Sequence, residues 1–170
     1  PELGINAATA GLIVAVYWAL MMVGRFVGAS IGSKVSSRAM LTTVSIATLI
    51  LVSFGMFAPT DITVSVPGID WANLKLIWAN VPVGIFAFLL VGLCTSVMWG
   101  GIFNMAVEGL GKYTAVASGI FMTMVFGCAV MLAIQAQVAE MTDYMTSYWV
   151  VLFSAAYLLF YALIGSKVKK

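Results

Sequence analysis

The chain has 170 residues, 63% of them hydrophobic and 8% charged, with no histidine and a formal charge of +2. Soluble domains carry roughly 25% charged residues, so water is not the solvent for this chain, and so small a net charge offers no footprint for nucleic acid. Cys94 and Cys128 lie inside apolar runs without any Cys-x-x-Cys or Cys/His cluster, which speaks against a disulfide framework, a zinc site or a cofactor motif.

The first apolar run begins within a few residues of Pro1 and is too long for a signal peptide. It predicts a membrane helix over 7–31, opened by Asn6 as N-cap and crossing with some tilt. Near its end Gly24, Gly28 and Gly32 recur every four residues and share one helix face, which lets a neighbouring backbone come close. Arg25 lies beside that face, flanked by long apolar sequence on both sides. A guanidinium in that setting either finds a protein acceptor or snorkels to headgroups.

A short polar link, Ser33 to Arg38, leads to a second helix over 39–57, whose Thr and Ser hydroxyls can bond back to their own helix carbonyls. Residues 58–80 form the one long non-spanning stretch, with Trp71 and Trp78 placed as headgroup-level anchors and the segment between them suited to a short surface helix. A third helix is expected over 82–107, with Pro82 in its first turn, then the tight link Glu108-Gly109-Leu110-Gly111-Lys112. The fourth and fifth helices are expected over 114–139 and 148–164, the last ending at Gly165. The fold class is therefore all-α: a single membrane domain over 1–170, a polytopic bundle of five transmembrane helices in the lipid bilayer.

Lys34, Arg38, Lys112, Lys167, Lys169 and Lys170 fall on one side of this topology and only Lys75 on the other. The positive-inside rule then predicts the N-terminus outside and the C-terminus cytoplasmic. Five crossings starting outside, with no leader, suggest that one helix precedes Pro1.

Without histidine, and with its carboxylates at membrane edges or in loops, the sequence holds no catalytic constellation and does not point to an enzyme. The Gly109-to-Lys112 run is too short for a phosphate loop and lacks the strand that should precede it. Tyr17, Trp18, Trp99, Asn104 and Gln135 are the side chains best suited to face a wet cavity. Aromatic faces and amides match the C–H faces and hydroxyl ring of a pyranose. Ordinary interhelical packing is the competing reading for Tyr17 and Trp18, which point about 100° apart, and an interhelical hydrogen bond is that for Gln135. Trp99 precedes Gly100 and Gly101, a local weakness at which the third helix could bend. Glu108 ends that helix on the same membrane side as Arg25. It is the best acceptor for Arg25 in the sequence, or else a solvated charge pairing with Lys112 at i, i+4.

Two blocks carry a family resemblance. The first is Ala10, Gly11, Tyr17, Trp18 and then Met21 through Gly28; the second is Thr95 through Phe103 followed by Glu108 through Thr114, with Gly165 to Val168 closing the chain. The first block resembles the eighth helix of the fucose-galactose-glucose:proton symporter family of the major facilitator superfamily, and the second resembles that family's tenth helix and the loop after it. The chain departs from the family pattern at Gly100, where relatives often carry proline, and at Gly127 to Met131, where a glycine-and-proline turn is common.

The resemblance implies two six-helix bundles with substrate bound between them at the midplane, and alternating access by rocking one against the other. This chain would be the C-terminal bundle without its first helix, acting with the missing N-terminal helices, which hold the proton-carrying carboxylates. The function implied is proton-coupled uptake of a hexose or deoxyhexose across a cell inner membrane, with sugar and protons as partners, no cofactor, and no transport by this chain alone. The candidate substrate contacts are Tyr17, Trp18, Trp99, Asn104 and Gln135; Arg25 and Glu108 are the candidate cytoplasmic latch, and Gly24, Gly28 and Gly32 the packing face. Two alternatives remain: a facilitator-type exporter of apolar compounds, for which the eleven methionines would make adaptable walls, and a non-transporting membrane scaffold.

Overall fold

The computed structural model describes residues 7–59, 61–70 and 75–165. Asn6, Trp71, Ser166 and the terminal lysines Lys167, Lys169 and Lys170 lie outside the described residues. In chain order the elements are α1 (Ala7–Gly32), α2 (Ser37–Phe57), β1 (Thr63–Asp70), β2 (Lys75–Pro82), α3 (Val83–Val107), α4 (Thr114–Met124), α5 (Phe126–Met141) and α6 (Tyr144–Phe160). A 3-10 turn, Gly111–Tyr113, precedes α4, and a π-helical turn, Tyr161–Gly165, follows α6. Taking α4 and α5 as one span, five helices are long and apolar enough to cross a membrane.

Small residues and helix caps set where these helices begin and how they meet. α2 starts at Ser37, two residues before its expected start, because Ser36 caps it, its hydroxyl accepting the Ala39 N–H at 3.3 Å. Packing then centres on Leu41, Met98 and Ala162, which join α2, α3 and the turn after α6 into one buried cluster. Near the other end of α2 and α3, Gly55 and Gly84 allow a close crossing: a methyl group at Gly84 would lie 2.8 Å from the Gly55 carbonyl oxygen. Among the helices, α1 packs mainly on α3. A methyl group at Gly24 would collide with Ser96 Oγ and come within 2.8 Å of the Leu93 carbonyl oxygen, and one at Gly28 would lie 2.9 Å from Val97 Cγ2. At Gly32 the nearest atom, Met40 Cε, would be at 3.9 Å, so only the first two glycines of the row enforce close approach.

Three local expectations change. The stretch between α2 and α3 is an antiparallel hairpin rather than a loop with a surface helix: β1 pairs with β2 from Thr63 opposite Pro82 to Asp70 opposite Lys75. Thr63, Val64, Ser65 and Val66 alternate in the strand manner, and Pro67 is tolerated because both strands of a two-stranded ribbon are edges. Ser65 Oγ donates to Asn80 Oδ1 at 2.7 Å across the ladder, and the Val83 N–H donates to the Ile62 carbonyl at 3.0 Å where the hairpin runs into α3. Pro82 therefore closes β2 and precedes the first helical residue.

The fourth span is also not one continuous helix. It breaks at Val125, where the Val125 N–H donates to Met122 O at 3.2 Å and the Cys128 N–H donates to Val125 O at 2.9 Å, the tighter three-residue spacing of a 3-10 turn. The last span begins four residues before its expected start. Asp143 caps it, its carboxylate accepting from the Thr146 N–H at 3.2 Å and from the Thr146 hydroxyl. Those hydrogen bonds hold the exposed Asp143 carboxyl below the ordinary carboxylate range.

The contact at Gly24 gives a direct test of the α1–α3 crossing. Gly24→Ala should destabilise the protein by about 1–3 kcal/mol in unfolding from detergent micelles, because backbone as well as Ser96 stands in the way. Gly100→Ala, with nothing within 4 Å of the new methyl group, should leave stability unchanged or slightly raised.

Candidate functional site

The long helices place the candidate side chains at different depths, and these fall into two separate concavities. The first is an open cleft of about 550 Å³ between the second half of α1, the start of α2 and the second half of α3. Arg25 enters it from α1, Ser37 and Met40 from α2, and Trp99 and Asn104 from α3. An adjoining cavity of about 630 Å³ shares Gly32, Ser37 and Asn104 with it and adds Arg38 and Glu108. Arg25 and Glu108 thus line neighbouring cavities at the same end of the bundle, without an ion pair between them. Both side chains are exposed, as is Asn104, and none of the three bonds another described residue. Two opposite charges and an amide of this kind need water or further polar partners.

Trp99 combines two contacts in this cleft. Its ring meets the Phe121 ring edge-on, with centroids 5.2 Å apart, and Phe103 meets Phe121 at 5.4 Å, so the indole both lines the cleft and helps to seat α4 on α3. α3 runs helical through Gly100 and Gly101.

The second concavity, about 400 Å³, lies toward the hairpin end and is lined from α1, α2, α3, α5 and α6. Tyr17 and Gln135 meet there, together with Thr95, Phe88 and Tyr148. Thr95 Oγ1 donates to its own helix, at 3.1 Å from the Val91 and 3.2 Å from the Gly92 carbonyl, so the Tyr17 hydroxyl is the donor in the 3.4 Å contact with Thr95 Oγ1. Gly92 makes this placement possible, because a methyl group there would lie 3.0 Å from Tyr17 Cδ2. Phe88 and Tyr148 stack with centroids 4.4 Å apart and planes 26° from parallel, forming an aromatic wall beside Gln135. Gln135 has no hydrogen-bond partner among the described residues, so it does not make the interhelical bond that is the simplest alternative for it. Trp18 is 60% exposed and lines neither concavity; its indole meets the Tyr17 ring edge-on at 6.0 Å.

The structure therefore divides the five candidate contacts. Trp99 and Asn104 share the cleft with Arg25, Tyr17 and Gln135 share the second concavity, and Trp18 stands apart. Thr95 and Tyr148 join the lining without having been singled out as site residues. A threonine inside an apolar helix usually satisfies itself on its own carbonyls, and only the facing Tyr17 marks this one. Among the described residues no group of three His, Cys, Asp or Glu side chains could hold a metal ion.

No family model matches the sequence, and no solved structure matches it. Curated proteins do. A protein named glucose/galactose transporter from Brucella abortus is 29% identical over 164 residues, 96% of this chain and 35% of its own length. A protein named putative glucose/galactose transporter from Helicobacter pylori is 27% identical over 170 residues, 97% of this chain and 37% of its own length. The chain spans little more than a third of the length of these relatives. The resemblance to sugar-transporter sequences read from the two blocks is borne out over nearly the whole chain.

The geometry around Tyr17 separates a structural role from a contact with solute. Thr95 keeps its own helix bonds when the phenol is removed, so Tyr17→Phe should change unfolding stability by less than about 0.5 kcal/mol. A loss of solute affinity much larger than that, measured by equilibrium binding, would assign the hydroxyl to the ligand.

Proposed function

We propose that this chain is part of a secondary active sugar transporter that takes up a hexose or deoxyhexose with protons by alternating access. The observation that carries the reading is the cleft in which an aromatic plate, Trp99, an amide, Asn104, and a cation unpaired among the described residues, Arg25, converge. Such a lining offers a pyranose a C–H surface and hydrogen-bond partners at once. The names of the relatives support the substrate class, and the five apolar spans support a multi-pass membrane protein. Tyr17 and Gln135 form a second polar station along the bundle, and Trp18 is free to contact a neighbouring helix.

In this reading the end bearing Lys34, Arg38 and Lys112 faces the cytoplasm of a cell inner membrane, by the positive-inside rule. Further helices of the same transporter supply the facing wall and the proton-carrying group. Arg25 is then a cytoplasmic latch: it is unpaired in the open cleft and, in the closed access state, bonds Glu108 or the carbonyls at the end of α3.

A chimera tests this directly. This chain should replace the aligned 164-residue segment of the Brucella abortus relative and support galactose or glucose uptake into proteoliposomes driven by an inward proton gradient, whereas the chain alone should not. A membrane-inserted chimera without sugar uptake, and without protection of a labelled Trp99 region by any hexose, would overturn the reading.

Within the chimera, Arg25→Lys keeps the charge but loses the planar fork of donors, so uptake should fall about tenfold or more while the amount in the membrane stays constant. Wild-type uptake in that variant would reduce Arg25 to a packing residue.

A further inference from the structure

The opposite side of the α1–α3 contact holds a third concavity, of a different chemistry. α1 and α2 each pack chiefly on α3, and the wedge between them is a groove of about 600 Å³. Val23, Val27 and Ile31 line one wall from α1, Val44 stands on the opposite wall, and Leu93 and Val97 of α3 form the floor. Thr43 and Cys94 are the polar side chains in the lining. The Thr43 hydroxyl already donates to the Ala39 carbonyl at 3.0 Å, and a thiol is a weak donor. A sugar finds nothing to bond there. The occupant must be hydrocarbon.

We propose that this groove holds one acyl chain of an anionic phospholipid, whose headgroup is engaged by Lys34 at the groove's mouth. Depth supports a lipid chain. From Val23 to Ile31 the wall runs eight residues, about 12 Å of helix. That is close to one leaflet's share of a hydrocarbon core of about 30 Å.

Charge supports an anionic headgroup. The groove ends at Ile31 and Val35, which frame Lys34 on the link from α1 to α2, and the Lys34 and Val35 N–H groups donate to the Ile31 carbonyl at 2.8 and 3.1 Å. Lys34 is exposed there, and Arg38 is exposed one turn further on. Basic side chains at the surface of a bilayer attract anionic lipid, and an apolar wedge left unfilled would forfeit the dispersion contacts of its lining. The proposal is independent of which solute the protein carries.

The test uses the whole chain in nanodiscs of phosphatidylcholine doped with phosphatidylglycerol that carries a photoreactive acyl chain. Cross-links should concentrate on Val27, Thr43 and Cys94, and native mass spectrometry should retain one phosphatidylglycerol per chain. Val27→Trp and Thr43→Trp fill the groove from opposite walls, and each should abolish that retention. Lys34→Gln should lower retention of phosphatidylglycerol about fivefold relative to phosphatidylcholine. Cross-links spread evenly over all apolar helix faces would overturn the proposal, as would equal retention of the two lipids by the wild-type chain. So would cross-linked dimers that exclude lipid from the groove. The wild-type cross-link map decides the matter even if a tryptophan variant fails to fold.

Discussion

The arrangement depends on how closely α1 can lie against α3. In hydrocarbon, helices gain nothing from burying apolar surface, so association rests on packing density and on backbones brought near each other. The main helix partner of α1 is α3, and its hold on that partner runs through Gly24 against Leu93 and Ser96 and through Gly28 against Val97. Because the contact is a narrow line of small residues, it leaves space on both sides. Arg25, about 100° around the helix from Gly24, enters the polar cleft, while Val23 and Val27 line the apolar groove.

α3 is the wall that the other features share. It carries α1 on one side and α2 on another, with α6 held to α2 behind the Leu41–Met98–Ala162 cluster. The fourth span leans between distant supports: α4 meets α3 through the Trp99, Phe103 and Phe121 rings, and α5 meets α6. The break at Val125 separates these two attachments. The space left between α5 and the rest is the concavity containing Tyr17 and Gln135. The hairpin caps that end of the bundle, with β1 against α1 and its base bonded into α3 through Ile62 and Val83.

Much of this was legible in the sequence, for physical reasons that differ from element to element. The five spans were readable because a bilayer demands long apolar helices and tolerates little else. The glycine row at 24, 28 and 32 announced a close approach, although not that Gly32 lies beyond the tight contact. The hairpin was hidden because its strand pattern is short and interrupted by Pro67 and Gly68, which read as turn. The start of α6 was hidden because Asp143 caps it by accepting from Thr146, which stands where the Glu or Gln of the familiar capping box would be. The candidate site was only half legible. Residue types marked Tyr17, Trp99, Asn104 and Gln135, but their division between two concavities depends on helix depth and on partners such as Thr95 that only the tertiary arrangement reveals.

The two faces of the α1–α3 contact also constrain how the bundle can move. A cleft that holds a guanidinium and borders a carboxylate, neither paired among the described residues, must be wet unless further partners are supplied, since removing either charge from water alone costs several kcal/mol. On the proposed latch it becomes dry only if Arg25 and Glu108 find acceptors and donors as it closes, so that closure and charge pairing would be one event. The groove on the other side carries no such condition, because its lining is apolar and its one hydroxyl is already bonded within α2. If α1 tilts about the Gly24 contact as the proposed latch requires, an electrostatic requirement on the cleft side is exchanged for a packing requirement on the groove side, to which fluid hydrocarbon chains would adapt at little cost. On the proposed latch, a helix held by small residues, with charge on one flank and aliphatic side chains on the other, can shift between two positions provided that Arg25 and Glu108 are paired whenever they are dry.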